Sequence, residues 1–146
     1  VLMAGPESKY KNKMKNLSNS LRLEENILWS DIILNDLKWG AISASKAMVL
    51  SSHGENFGVS LVESLSCHRP VITTKKVNIF NEIRNSKAGF ISNDNLISFF
   101  KTLRKFDNLK RKKIRQMNMN SFKCFTKYFD LSEYKNSLAE ILLMNK

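Results

Sequence analysis

The sequence has 146 residues, of which 24 are Lys or Arg and 13 are Asp or Glu, giving a formal net charge of +11. With 42% hydrophobic and 25% charged residues, it has a globular composition, which excludes a wholly disordered basic tail. The two cysteines, Cys67 and Cys124, have no C-x-x-C spacing. That argues against a disulfide framework or a cysteine-built zinc site and favours a reducing cytosol. No apolar stretch approaches the roughly 18–20 residues of a membrane span.

The predicted elements alternate between short apolar strands and amphipathic helices. We expect strands at residues 1–4, 27–29, 47–50, 70–74 and 88–91 (the last a strand or a turn), and helices near 8–23, 36–45, 58–67, 79–84, 94–105, 108–127 and 131–144. Short all-apolar strands that alternate with helices indicate β-α-β units and a parallel sheet covered on both faces. The predicted fold class is therefore α/β, a doubly wound, Rossmann-like parallel sheet with three αβα layers.

The same patterns predict which side chains face inward. The strand at residues 1–4 should be buried, and the lysines of the first helix should lie in solvent, opposite its apolar face. Most aromatic residues after residue 98 should pack in the core or against another domain. The apolar helix residues expected to face inward are Tyr10, Met14, Leu17, Leu21, Leu37, Ile42, Val59, Val62, Leu65 and Cys67.

The positive charge is concentrated on the two flanks of the chain. Residues 1–22 hold five basic and one acidic residue, residues 23–100 hold seven and eight, and residues 101–146 hold twelve and four. The densest cluster lies within 101–115. It is either an anion-attracting surface, for phosphate, acidic lipid or nucleic acid, or a solvated helix face.

The most informative segment is the polar loop that follows the predicted strand at 47–50. It delivers Glu55 beside the N-terminus of the next helix, whose free amides attract phosphate. Gly58 allows the backbone to approach a ligand closely, and Glu63 lies in the second turn of that helix. Since carboxylates repel phosphate but bind paired hydroxyls well, this segment predicts a site for a nucleotide that carries a polyhydroxyl group.

These residues also resemble a known family. The segment S-H-G-E-N-F-G-V-S-L-V-E-S-L-S-C at 52–67 contains an E-x7-E pair and is similar to the signature of retaining GT-B glycosyltransferases, most closely family 4. Further similar segments, in the same order along the chain, are L-M-A-G-P at 2–6, N-D-x-K-W-G-A at 35–41, K-V-N-I-x-x-E-I at 76–83 and A-G-F at 88–90.

The resemblance implies a role for each site residue in binding a nucleotide-sugar donor. A hexose-type sugar would pass, with retention, to a glycan or lipid-linked acceptor. The resemblance also implies that no cofactor or metal is needed, and the sequence accordingly has no D-x-D pair of the metal-binding kind. The implied contacts are Glu55, Asn56, Phe57 and Gly58 with the sugar, Val59 and Ser60 with the diphosphate, Glu63 with the ribose, and Ile32, beside Asp31, with the base.

The resemblance further implies that residues 1–146 are a single donor-binding domain without its first βα unit, which carries an Arg/Lys diphosphate clamp, and without the N-terminal acceptor domain. We expect such a fragment to be inactive alone. The alternative is a non-catalytic remnant that binds a nucleotide or a partner protein. Nucleic acid is not the expected partner. We expect a cytoplasmic protein whose residues 101–115 can dock on the inner face of an anionic membrane.

The sequence also supports a local prediction for each of its two histidines. His53 and Glu55 form an H-x-E pair of the kind that zinc deaminases use, but the sequence lacks the P-C-x-x-C that completes such a site, so a structural hydrogen bond is the preferred interpretation. His68 stands just past a helix end where glycine is frequent, which predicts left-handed backbone there.

Overall fold

A computed structural model describes residues 1–131 of the chain. Its elements follow the predicted order closely, and the helix predicted at 131–144 falls outside the described residues beyond Leu131. The elements are β1 (Leu2–Ala4), α1 (Lys9–Ser20), a 3₁₀ turn (Glu24–Asn26), β2 (Leu28–Ser30), α2 (Asn35–Ala44), β3 (Met48–Leu50), α3 (Val59–Ser66), β4 (Val71–Thr74), α4 (Phe80–Asn85), β5 (Gly89–Ser92), α5 (Leu96–Asp107) and α6 (Arg111–Tyr128).

Every strand pair in the described chain is parallel, which confirms the predicted α/β class. The strands are hydrogen-bonded in two sheets, β1-β2 and β3-β4-β5. The chain divides into two compact units, unit 1 (Val1–Ala41) and unit 2 (Ile42–Lys146).

Unit 2 is built around the central strand β4, all four residues of which are buried. Leu61 and Leu65 of α3, Ile83 of α4 and Cys124 of α6 are also fully buried and belong to one core with Val71. A strand with partners on both edges and helices packed on it has no solvent face, so its apolar and small polar residues run without alternation.

Gly89 sets how closely β5 approaches β4. The register pairs Gly89 with Val71, and a Cβ on Gly89 would lie 1.9 Å from the Val71 carbonyl oxygen. Any side chain there would push the two strands apart.

The left-handed backbone predicted at His68 is confirmed, because this residue has φ 58°.

Several predicted burial patterns in unit 1 are wrong. β1 is exposed along its whole length, because a 41-residue unit with a two-stranded sheet has too little material to cover the strand. Lys11, expected in solvent, is only 8% exposed, since its ammonium group is surrounded by oxygen acceptors. Leu37, expected inward, is 70% exposed, while the prediction for Ile42 is confirmed at 5%.

In unit 2 the prediction for Val59 is also wrong. Val59 is the first residue of α3 and is 61% exposed, because the chain enters the helix from a loop that leaves this turn open. Leu65 is buried as predicted, and together with Leu61 it forms the buried side of α3.

The late aromatic residues divide into two groups. Phe106 is buried, and Phe125, Tyr128 and Phe129 pack against the core as predicted. Phe100, in contrast, is 56% exposed. No helix within residues 1–131 combines the length and apolarity needed to cross a membrane.

Candidate functional site

The loop between β3 and α3 is held at its start by two threonine hydroxyls of β4. Thr73 Oγ1 donates to the Leu50 carbonyl oxygen at 2.9 Å, and Thr74 Oγ1 donates to the Ser52 carbonyl oxygen at 2.7 Å. Both hydroxyls are buried at the carboxyl end of the strand. They fix where the loop leaves the sheet, at the edge where ligands bind in open α/β folds.

Glu55 is fixed by its backbone on both sides. Its N–H donates to the Lys76 carbonyl oxygen at 3.1 Å, and its own carbonyl accepts from the Asn78 N–H at 3.1 Å, so that Glu55 and Val77 form an isolated parallel bridge. The loop therefore carries a short stretch of strand pairing that holds Glu55 in one orientation.

The Glu55 carboxylate turns back onto its own loop. Its Oε1 accepts from the Phe57 N–H at 3.4 Å and from the Gly58 N–H at 3.3 Å. Both hydrogen bonds are long, hence weak. The carboxylate thus lies against two of the amides predicted to contact the sugar, in an arrangement that a ligand hydroxyl can enter at low cost.

Gly58 is required by the turn into α3. It has φ +71°, and a Cβ at this position would come within 3.1 Å of Val77 Cγ1. A side chain at position 58 would therefore point into the core. Packing thus requires glycine here, in addition to the predicted reason that glycine lets a ligand approach the backbone. Immediately after Gly58, the amides of Val59 and Ser60 donate to no acceptor within the described chain, as expected for the first turn of a helix.

The remaining predicted residues of this loop and helix lie around that turn. Asn56 is exposed, and Phe57, 48% exposed, packs edge-on against Phe129 with ring centroids 5.9 Å apart. Glu63 is half-buried in the second turn of α3, roughly 7 Å along the helix axis from Gly58 at the usual rise per residue. The loop and the first two turns of α3 thus hold seven of the eight predicted site residues.

His53 makes the structural hydrogen bond that the preferred interpretation required. Its Nδ1 lies 2.6 Å from Asp94 Oδ1. That contact ties the loop after β3 to the segment that precedes α5. Among residues 1–131, no group of three or more His, Cys, Asp or Glu side chains is arranged to hold a metal ion.

In unit 1, Ile32 follows the end of β2 and is 58% exposed. The backbone just before it is held by Lys11, whose Nζ donates to the Ser30 carbonyl oxygen at 2.9 Å and to Asp31 Oδ1 at 3.3 Å. The same ammonium group donates to the Gly5 carbonyl oxygen at 2.9 Å. Lys11 therefore joins the carboxyl ends of β1 and β2.

A carboxylate completes the lysine's surroundings. Glu7 Oε1 lies 2.9 Å from Lys11 Nζ, and this contact raises the pKa of Lys11. In return, hydrogen bonds from Lys11 and Lys15 lower the pKa of Glu7.

Sequence reasoning missed the residues that hold the two loops in place, Thr73, Thr74 and Lys11. A signal existed for the first two, because two threonines that end an otherwise apolar strand place hydroxyls where a neighbouring loop begins. The lysine had no such signal, since it belongs to a row of four alternating lysines in which only one is buried.

The comparisons with known proteins agree on the type of fold. The family described as glycosyl transferases group 1 matches residues 1–123, while no curated protein matches the sequence. Among solved structures, the chain is similar to sucrose-phosphate synthase from Thermosynechococcus elongatus, with a TM-score of 0.84 and 15% identity over 99% of this chain and 39% of that one.

Two further structures are similar to the same extent. HepE from Anabaena, solved in complex with UDP and glucose, has a TM-score of 0.83 and 17% identity over 98% of this chain and 40% of that one. A glycosyltransferase from Rickettsia africae has a TM-score of 0.80 and 20% identity over 96% of this chain and 38% of that one. At such identities the likeness shows the fold, the Rossmann-like half of GT-B glycosyltransferases. The chain spans about two fifths of each structure.

Proposed function

The chain belongs to the glycosyl transferases group 1 family, and from that premise we propose that it binds the nucleotide-sugar donor of a glycosyl transfer reaction. The observation that carries the proposal is the first turn of α3. There the amides of Val59 and Ser60 have no acceptor within the described chain, and the Glu55 carboxylate accepts from the N–H of Gly58, the residue before them. Amides at a helix N-terminus suit a diphosphate, and a carboxylate suits sugar hydroxyls.

In the proposed complex each residue has one task. Glu55, with Asn56, Phe57 and Gly58, binds hydroxyls of a hexose-type sugar, and the amides of Val59 and Ser60 bind the diphosphate. Glu63 binds the ribose hydroxyls. For unit 1 by itself, the proposal is that the backbone around Ile32 can contact a nucleobase. UDP and glucose in the HepE structure support a donor of this kind.

The proposed reaction is transfer of the sugar with retention to a glycan or lipid-linked acceptor. The contribution of this chain would be electrostatic, because helix amides aimed at the diphosphate stabilise the negative charge that develops as it departs. We propose that no metal is needed, since the sequence has no D-x-D pair and the amides supply the positive potential.

The acceptor would be bound by an acceptor domain of the GT-B type, in keeping with the two fifths of the GT-B structures that these residues span. Mixing the chain with such a domain expressed separately tests this: transfer that needs both parts supports the proposed division of tasks, and its absence favours the alternative that these residues bind a nucleotide without catalysing transfer.

Calorimetric titration of Glu55→Ala tests the donor site, with UDP-glucose and UDP as probes and GDP- and ADP-sugars in parallel. We expect affinity for the sugar nucleotide to fall about tenfold, the effect of losing a charged hydrogen-bonding partner. Affinity for the diphosphate should hold or rise, because the substitution frees the amides of Phe57 and Gly58.

The matched control is Glu25→Ala, at an exposed glutamate of the 3₁₀ turn, which should change neither affinity. Equal weakening of both probes by Glu55→Ala would contradict the assignment of Glu55 to the sugar.

We propose lastly that the protein works in the cytoplasm beside a membrane. The support is charge: the basic residues of 101–115 are all exposed and attract an anionic surface.

A further inference from the structure

Helix α5 has one face in the core and a second face that remains exposed in the part of the chain that the structure describes. Phe106 is buried on the inner side, whereas Leu96 is 85% exposed, Ile97 68% and Phe100 56%. Positions 96, 97, 100, 101 and 104 recur at helical spacing, and they line one shallow stretch of surface, which we name the α5 face: Leu96, Ile97, Phe100, Lys101 and Arg104.

Three large apolar side chains that share one exposed face need an explanation. Single exposed hydrophobic residues are common on protein surfaces, but a contiguous group rimmed by charge marks a contact site. Leu96 and Ile97 belong to the first turn of a twelve-residue helix and Phe100 to the second, so the three project together from the molecule.

The surroundings of this apolar group are strongly basic. Between residues 96 and 115 there are eight basic residues and one acid, Asp107, and all eight basic side chains are exposed. The guanidinium group of Arg104 lies over the Phe100 ring, 5.9 Å from its centroid. Long basic side chains can thus cover apolar surface with their stems while their charged ends reach outward.

This combination favours a lipid surface over a nucleic acid. Bases stack on aromatic rings, yet two of the three apolar residues, Leu96 and Ile97, are aliphatic and gain only by leaving water for a hydrocarbon-like environment. An anionic bilayer offers both parts, phosphate groups for the basic residues and the headgroup–acyl boundary for the apolar ones.

We propose that the α5 face is a membrane-inserting surface, with Leu96, Ile97 and Phe100 entering the interface of an anionic bilayer and Lys101 and Arg104 binding its phosphates. At twelve residues, α5 lies in the plane of the interface and does not span it. The inference rests on the membrane location proposed above and is independent of the donor site.

The experiment is sedimentation of the full 146-residue chain with vesicles of mixed phosphatidylcholine and phosphatidylglycerol, and with phosphatidylcholine alone. The wild type should bind the anionic vesicles and not the neutral ones. The triple substitution Leu96→Ser, Ile97→Ser and Phe100→Ser should weaken binding at least about tenfold. Lys101→Gln with Arg104→Gln should weaken it to a similar degree.

Two control variants match these changes elsewhere on the surface. Lys9→Gln with Lys13→Gln removes the same charge from exposed positions of α1, and Leu37→Ser removes an exposed leucine from α2. Both should bind like the wild type. Far-UV circular dichroism establishes that every variant is folded.

Insertion is read separately from surface attraction. With Phe100→Trp, brominated lipid should quench fluorescence well beyond the quenching of the parent chain, which already contains Trp29 and Trp39.

The outcomes separate the two proposals. Unchanged binding of the triple variant, with no added quenching, would overturn insertion and leave the charge-based location standing. Failure of the wild type to bind anionic vesicles would overturn both. Binding of single-stranded RNA that displaces the vesicles and survives the triple substitution would assign the surface to nucleic acid and overturn the inference.

Discussion

The two units of this protein are stabilised by different kinds of interaction. In unit 2 the fully buried side chains are mainly aliphatic, with Leu61, Leu65 and Ile83 at 0% exposure. In unit 1, within Val1–Ala41, the buried side chains are Lys11 and Ser18, both polar. One unit thus depends on burial of apolar surface, while the other depends on hydrogen bonds at the ends of its strands.

The difference shows that one local pattern can lead to two kinds of interior. β1 and β4 are both short apolar strands, yet β1 is exposed along its length and β4 is buried along its length. What differs is the number of neighbouring strands: within residues 1–131, β1 pairs with β2 alone, whereas β4 lies between two strands. Burial, and with it most of the hydrophobic stabilisation, follows from the neighbours.

The strongest way to break unit 2 is Gly89→Ala. Because the added methyl would lie 1.9 Å from the Val71 carbonyl oxygen, β5 must move away from β4, and we expect a loss of about 3 kcal/mol or more in urea unfolding. The matched control is Gly40→Ala, in α2, where a Cβ meets nothing within 4 Å. There we expect a gain of about 0.5–1 kcal/mol. Equal effects would show that strand spacing is not critical.

A smaller effect should come from comparing equivalent leucine truncations in the two units. Leu61→Ala empties a fully buried position of unit 2 and should cost about 2–4 kcal/mol. Leu17→Ala in α1, at a position 49% exposed, should cost less than about 1 kcal/mol. Urea denaturation of both variants measures the contrast, and similar costs would mean that unit 1 has an apolar core after all.

The smallest expected effect comes from titrating the charged side chains of unit 1. Hydrogen bonds from Lys11 and Lys15 lower the pKa of Glu7, so its stabilising effect is complete above the ordinary glutamate pKa, about 4.3, and is lost as the pH falls through the lowered value. Titration followed by NMR should show amide signals of unit 1 changing below about pH 4 while those of the unit 2 core stay constant.

Lys11→Met provides the control for that titration. It removes the hydrogen bond that contributes most to lowering the pKa of Glu7, so this pKa should return toward its ordinary range. A Glu7 that titrates normally in the wild type would contradict the proposed polar anchoring.

Much of the fold was predictable because each strand and helix carries its own periodicity. The strand at 70–74 and the helix at 58–67 appear as β4 and α3 almost residue for residue. The loop with Glu55 and Gly58 was equally predictable from the sequence. A polar segment between a strand and a helix lies at the carboxyl edge of a parallel sheet, where ligands bind in such folds.

What was missed depends on contacts between distant segments. Nothing in the alternation of lysines along α1 distinguishes Lys11 from Lys9 or Lys13; only the carbonyl groups of Gly5 and Ser30 make it the buried one. Likewise, the hydroxyls of Thr73 and Thr74 gain their role from Leu50 and Ser52, more than twenty residues earlier.

By itself, then, the sequence determined the order of the elements, the parallel α/β class and the loop that presents Glu55. The tertiary structure decided which apolar faces are covered, so that β1, Leu37 and the α5 face remain exposed while β4 is buried. The reason is that periodicity is a property of one segment, whereas burial is a property of the segments packed around it.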